Sequence, residues 1–438
     1  MLDPAVPDDG PVAPGAPRRT GDSGRGWSPW RVVVGFGVVS LAADMVYEGA
    51  RSVYGPLLAS LGASALVVGA VTGAGEAAAL VLRAVSGPLA DRTGRYWSLT
   101  LLGYGLTAVC VPLLAVTPLL GGAGLVAAVL LILAERTGKA IRSPAKSALL
   151  ADAASQVGMG RGLGVHKALD QIGAFAGPLL VAGLVAVSAG ALWPGLAALA
   201  IPGAVAMALL LITRRQVPQM GRLTAGPAAE DTSRAGLSEG RFPRLRQMRG
   251  ARLGLPASLV QFAAGTALCT AGLVTFGLIG YHLVGRGLVP TAGVPLLYAA
   301  AMAAGALAAL ATGEAYDRLG AKVLLALPFM VAAVPAMVFS GSLSIVVPGV
   351  LLWGAAVGVQ DSTVKATVGD LVPRERRATA YGVFAGVQGV GALIGGITAG
   401  ALYGQSVTAL LAVVVAAQVI AFLLLVPVTR NPMSAHRV

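Results

Sequence analysis

The chain is short of charge, of sulfur ligands and of histidine. Only 12% of its 438 residues are Asp, Glu, Lys or Arg, about half the roughly 25% of an ordinary soluble protein. That shortage excludes a soluble enzyme and a disordered protein. Two cysteines, Cys110 and Cys269, both inside apolar runs, give no disulfide framework. Three dispersed histidines, His166, His282 and His436, make no metal site, and neither a metal nor another cofactor is expected. The first 29 residues lack the apolar core of a signal peptide and read as a disordered cytoplasmic tail.

What the chain has is hydrophobicity and basic charge. Apolar residues make up 56% of it, mean hydropathy is +0.78 and net charge is +13. A basic balance suggests nucleic acid only where it forms an exposed patch. Here Lys and Arg sit in short stretches between long apolar runs, so the partner they imply is a lipid bilayer. About 20 apolar residues cross the hydrocarbon core as a helix. Twelve such runs are present, near 31–58, 66–90, 97–116, 122–148, 163–187, 194–213, 255–284, 292–314, 321–340, 344–369, 377–403 and 407–428. The expected fold is therefore an all-α membrane protein of twelve spans. With the N-terminus inside, 24 of the 32 Lys and Arg fall on the inner side, and Arg286 alone falls in an outer loop. That asymmetry predicts both termini in the cytoplasm and a plasma (inner) membrane location.

A polar stretch at 214–253, with nine arginines, divides the spans six and six. It reads as a cytoplasmic tether on anionic headgroups. The expected organisation is a tail (1–29), a six-helix bundle (30–213), the linker (214–253), a second bundle (254–430) and a short cytoplasmic tail (431–438). The bundles repeat in sequence. GPLADRTG (87–94) matches GEAYDRLG (313–320), ALLAD (148–152) matches ATVGD (366–370), and GVHKALDQIGAFAG (164–177) matches GVFAGVQGVGALIG (382–395). A duplicated bundle places a binding site near the midplane between its halves and works by rocking one against the other.

Gly87-Pro88-Leu89-Ala90-Asp91-Arg92-Thr93-Gly94-Arg95 resembles the loop between helices 2 and 3 of the major facilitator superfamily, with a degenerate second copy around Asp317 and Arg318. The resemblance spans roughly residues 30–430. It implies a secondary transporter, most like bacterial drug or metabolite antiporters driven by protons. It also implies a small-molecule substrate, no nucleic acid and a monomer. Asp91 is expected to cap helix 3. Arg92 and Arg95 are expected to reach carboxylates at neighbouring inner ends, Asp152 first among them, with Asp370 as its counterpart. Such a cluster latches the inner gate in that family. Gly173, Gly177 and Pro178 are similar to the family's helix-5 antiporter motif. The sequence then runs Leu179, Leu180, Val181, Ala182 where the family continues with paired glycines.

Charges inside spans normally face a cavity or a partner. Asp44, Glu48 and Arg51 form one stripe on helix 1, and Glu76 and Arg83 share a face of helix 2. Glu135, Lys139, Arg142 and Lys146 line helix 4 beside Arg136. His166 and Asp170 share a face of helix 5, and Asp361 and Lys365 share one of helix 10. Lys146, His166 and Lys167 lie toward the inner surface and read as snorkelling or solvated. Asp44 or Glu48 is the expected proton carrier, with Glu76, Glu135 and Asp170 as rivals. The bases would balance those acids or hold an anionic substrate. Helix-7 Gln261, Thr266, Thr270 and Thr275 and helix-11 Gln388 could hydrogen-bond a substrate. Proton-coupled export of a small organic molecule is the leading expectation. Uptake of an organic anion and efflux of a metal or metal chelate are the alternatives. A membrane enzyme would need a clustered acid–base set near one membrane face, and a receptor has no use for midplane carboxylates.

Overall fold

The computed structural model describes residues 27–218, 256–372 and 377–430. Residues 1–26 of the expected N-terminal tail, the expected C-terminal tail and nearly all of the expected 214–253 linker lie outside the described residues, as do the side chains of Lys365, Arg377, Ala378 and Arg430. The described residues are almost wholly helical, with no strand among them.

The first crossing is α1 (Pro29–Arg51) continued by α2 (Tyr54–Ser60) after a break at Ser52–Val53. Then come α3 (Ala65–Thr93), α4 (Tyr96–Leu113), α5 (Gly124–Val157) and α6 (Met159–Val187), with α7 (Trp193–Ala198) and α8 (Ala200–Gln216) completing the sixth crossing. The second half begins with α9 (Ala257–Gly272) and α10 (Phe276–Gly285), followed by α11 (Gly293–Leu319), α12 (Leu327–Val338) and α13 (Leu343–Val359). A π-helical turn at Gln360–Val364 joins α13 to α14 (Lys365–Asp370), and α15 (Arg377–Gln405) and α16 (Val407–Arg430) follow. Among the described residues ten helical runs are long and apolar enough to cross a membrane. Two of them, Tyr96–Val157 and Gly293–Val338, hold 62 and 46 residues, far beyond one crossing at about 1.5 Å per residue. Each is folded back at a glycine with positive φ, Gly121 (53°) and Gly320 (64°). The count is consistent with the twelve crossings expected.

Glycine sets the helix spacing. In the first half, α6 lies directly on α1: a Cβ added to Gly173 would sit 2.8 Å from Leu41 Cα, and one on Gly177 2.7 Å from Met45 Cα. In the second half, α15 lies on α9 in the same way, Gly391 against Ala267 and Gly395 against Ala271. These are the residues that the 164–177 and 382–395 match pairs, so the sequence repeat is also a packing repeat. Small residues at such contacts allow the close approach that holds helices together in lipid.

The halves meet along α3 and α15, where Gly69 and Gly73 face Gly396, and where α2 crosses α10, with Gly55 against Gly277 and Tyr281. Thr72 and Thr275 share a 2.7 Å hydrogen bond across this seam. Tyr298 of α11 donates one to Glu48 of α1. The apolar core differs between halves. The second half has one continuous cluster. The first half has two, one around Val46, Leu57, Val111 and Ile132, the other around Phe36, Tyr104, Leu149 and Leu210. A layer of charged side chains separates them.

Candidate functional site

That layer is built from the helices whose sequence carries charged stripes. Around Tyr47 of α1, Arg51 reaches Glu76 of α3 at 2.6 Å and Glu48 at 3.7 Å. Arg136 of α5 reaches the same Glu76 oxygen at 3.2 Å and Glu135 at 3.6 Å. Glu76 thus lies between two guanidinium groups. Arg136 also hydrogen-bonds the Tyr47 hydroxyl and stacks 4.7 Å from its ring centre. Lys139, one turn on, places its ammonium 3.2 Å from that ring centre. Arg142, another turn on, stacks 4.5 Å from the ring of Tyr104 and donates to the Thr107 hydroxyl. Thr107 in turn donates to Glu135 at 3.4 Å. Glu135, Arg136 and Arg142 are 0%, 2% and 4% exposed. Removing such charges from water costs several kcal/mol each unless they are paired, which explains why they form one network. The Glu135–Arg136 contact is the poorest in it: Glu135 Oε2 and Arg136 Nε are buried and lack a hydrogen bond.

A second cluster follows from the α1–α6 contact. These helices run parallel, and the glycine rungs at Leu41–Gly173 and Met45–Gly177 fix their register. The neighbouring rungs then pair Ser40 with His166, at 2.9 Å, and Asp44 with Asp170, which face each other at hydrogen-bond range. Lys146 donates to Ser40 at 3.1 Å, and Lys167 reaches Asp170 at 2.7 Å. Lys139 lies within electrostatic reach of both Asp44 and Glu48 and so links the two clusters. Lys146 and His166 are thus not simply solvated, as expected from their position; both are tied to Ser40. Lys167 does keep its side chain 66% exposed.

The second half contributes less charge. Asp361 is exposed on the π-helical turn, within reach of Glu76 and Lys167. Gln388 accepts a 2.8 Å hydrogen bond from Thr270, which also lies 3.3 Å from Gln360. Thr266 is satisfied by its own helix, at 2.9 Å from the Phe262 carbonyl, and Thr275 by Thr72. Gln261 is half-buried on α9. Arg83 is also half-buried, with its Nε lacking a hydrogen-bond partner, and no ion pair joins it to Glu76. An apolar cavity of about 630 Å³ lies between α9 and α15, lined by residues such as Ala264, Ala271, Val383 and Ile394, with no charged group. The charged layer is elsewhere.

At the expected gate, Gly94 ends α3 with φ 61° and donates to the Ala90 carbonyl at 2.9 Å. Asp91 does not cap α4. It sits in the last turn of α3 and accepts the Tyr96 hydroxyl at 3.0 Å, while Arg95 occupies the cap position without a side-chain bond. Arg92 and Arg95 are exposed, Asp152 is half-buried, and Gly87 packs toward Pro144. In the second copy, Asp370 accepts the Tyr316 hydroxyl at 2.8 Å and Arg318 pairs with Glu314, beside exposed Asp317. Each copy therefore ties an aspartate to a tyrosine at a helix end.

Sequence reasoning missed Tyr47, Tyr54, Tyr104 and Tyr298, which serve the cations and Glu48 as aromatic faces or hydroxyl partners. Their one visible signal was position: Tyr47 precedes Glu48, and Tyr104 lies three residues before Thr107. Among the described residues no group of three or more His, Cys, Asp or Glu is arranged to hold a metal ion.

The repeat relates the two halves of the site residue by residue. The register that sets Gly87 on Gly313 sets Asp44 on Thr270, and the register that sets Gly173 on Gly391 sets Asp170 on Gln388. The two carboxylates of the first half correspond to the hydrogen-bonded threonine and glutamine of the second.

The chain is 48% identical over 398 residues to uncharacterised proteins of Mycobacterium tuberculosis strain H37Rv and Mycobacterium bovis, covering 91% of this chain and 93% of each relative. Its fold is similar to that of the peptide transporter POT, with TM-score 0.70, 15% identity and coverage of 92% and 96%. It is also similar to a nucleoside transporter, NupG, with TM-score 0.66, 15% identity and coverage of 91% and 99%. The inward-open xylose transporter XylE of E. coli gives TM-score 0.63, 12% identity and coverage of 89% and 95%. At these identities the likeness is one of fold. The family description "Major Facilitator Superfamily" matches residues 36–360 and again 289–437. The chain is a multi-pass membrane protein of the Major Facilitator Superfamily, a family of secondary transporters.

Proposed function

We propose that the chain is a proton-coupled transporter of a small organic molecule, working by alternating access, in which the Asp44–Asp170 pair carries the proton. The observation that supports this is the meeting of those two carboxylates across the α1–α6 contact. Two carboxylates at hydrogen-bond range do not both stay ionised at low cost, so a pair of this kind takes up and releases one proton. Glu76 is held by two arginines, Glu135 by Arg136, Glu48 by Arg51 and Tyr298, and Asp170 by Lys167, so of these five acids Asp44 is, among the described residues, the one with no base within 4 Å.

Export in exchange for protons is the direction that the helix-5 resemblance favours, with the termini on the cytoplasmic side of the inner membrane. Cotransport of an organic anion with the proton is a second reading, favoured by Lys139. When Asp44 carries the proton, Lys139 has one anionic neighbour fewer and is free to hold an anion, so the two would bind together.

The test is purified protein in liposomes with an internal pH-sensitive dye, challenged with organic anions, cations and neutral compounds. A compound that moves protons only with the wild-type protein supports coupling. Asp44→Asn and Asp170→Asn should each reduce that flux to background while the protein remains inserted and monodisperse. Wild-type gradient dependence in both variants would overturn the assignment. The sign of the dye response separates exchange from cotransport.

A further inference from the structure

The sequence repeat gives every residue of the charged layer a counterpart in the second half. Tyr47 corresponds to Leu273, Glu76 to Met302 and Lys139 to Val357. All three counterparts are half-buried, as Lys139 and Glu76 are. Met302 follows Tyr298 by four residues on α11 and so shares its face, and Tyr298 reaches across the seam to Glu48. These three counterparts are apolar and flank the second-half core, while the polar groups of that half, Thr270, Gln360, Gln388 and Asp361, occupy other positions in the sequence.

The charged wall has its own imbalance. Each carboxylate around Tyr47 (Glu48, Glu76 and Glu135) already has an arginine within 4 Å. Lys139 and Arg142 have no carboxylate at that distance among the described residues. Arg142 is deeply buried and satisfied in part by Thr107 and Tyr104. Lys139 is half-buried, and its ammonium rests on the ring of the buried Tyr47. A ring face orients an ammonium but leaves its N–H donors unfilled.

Resting on the transporter reading above, we infer that the transported molecule is an amphipathic organic anion. Its carboxylate, sulfonate or phosphate group seats on Lys139 beside Tyr47. Its apolar body lies against Leu273, Met302 and Val357. A charged head and an apolar body would each find their own wall only if the molecule bridges the two halves. Binding would then depend on both bundles, as the rocking of one against the other requires.

The experiment is equilibrium binding, read as the shift in thermal unfolding of the purified chain in lipid nanodiscs. It uses four matched probes: hexanoate, hexylamine, hexanol and acetate. Hexanoate should stabilise the protein, with hexylamine and hexanol doing less because they lack the charge and acetate doing less because it lacks the body. Lys139→Gln should weaken hexanoate binding about tenfold or more, whereas Lys139→Arg should retain it. Lys322→Gln, at an exposed position after α11, should leave it unchanged. Equal or stronger stabilisation by hexylamine, no stabilisation by hexanoate, or a hexanoate shift that survives Lys139→Gln would each overturn the inference. If Lys139→Gln is not recovered folded, the order of the four probes on the wild-type protein decides. The measurement involves no gradient. Selective hexanoate binding without proton flux would sink the coupling proposal and spare this one, and proton flux driven by an amine would do the reverse.

Discussion

The two halves share a helix order, a set of glycine contacts and a sequence repeat, yet one is cut through by charge and the other is not. Arg136 of α5 corresponds to Gly354 of α13. The first is a buried cation bridging two glutamates. The second presses its backbone on α11, where an added Cβ would lie 2.8 Å from Ala301 Cα. Glu135 corresponds to Trp353, which donates to the Val274 carbonyl at 2.7 Å and packs against Phe276 and Tyr298. One half has spent its midplane on ion pairs and the other on tight packing. The glycine rungs are common to both halves, whereas the buried ion-pair network, among the described residues, belongs to the first.

This contrast can be broken by substitution. Arg136→Gln removes one partner from Glu76 and from Glu135 while both remain. It should cost about 3–5 kcal/mol of stability, seen as lost folded yield and a lowered unfolding midpoint. Adding Glu135→Gln should recover part of that loss. A fully stable Arg136→Gln protein would show that the layer is not a coupled network. Gly173→Val and Gly391→Val occupy equivalent rungs and should destabilise similarly, by about 1–3 kcal/mol, if packing is common to both halves. Only the first should also disturb proton-driven flux, since it displaces Asp44 from Asp170. Tyr298→Phe removes the hydroxyl that joins Glu48 across the seam. It should cost about 1.5–3 kcal/mol, or favour opening of the seam in distance measurements between spin labels on α2 and α10. The smallest effect belongs to the helix end: Asp91→Asn keeps a hydrogen-bond acceptor for Tyr96 and should slow the transport cycle while leaving probe affinity near wild type. Loss of binding without a change in rate would argue against a gate there.

Much of this architecture was legible in the sequence because lipid imposes simple rules. Apolar runs of about 20 residues, a basic linker and a repeated GxxxDRxG loop give spans, halves and family. The stripes on helices 1, 2, 4 and 5 were legible too, and Arg51, Glu76 and Arg136 do converge. Which acid meets which base was not legible. It depends on the register between helices, set by the rungs at Gly173 and Gly177, and periodicity along one helix carries no such information. The tyrosines were hidden because a lone Tyr in an apolar run looks like any core residue. Asp91 was misplaced because the helix ends three residues later than the capping reading assumes, at Gly94.

The crossing of α2 over α10 has a mechanical consequence. At Gly55 backbone rests on backbone, that of Gly277 and Tyr281, with only the short Thr72 side chain against Gly277 and the Pro56 ring against Gly280 beside it. A barrier of that kind has no swinging plug that could flicker ajar to let a stray ion slip past. On the transport cycle proposed above it would yield only when an entire rod is carried away from its neighbour, so reconstituted protein should show little ion leak between turnovers.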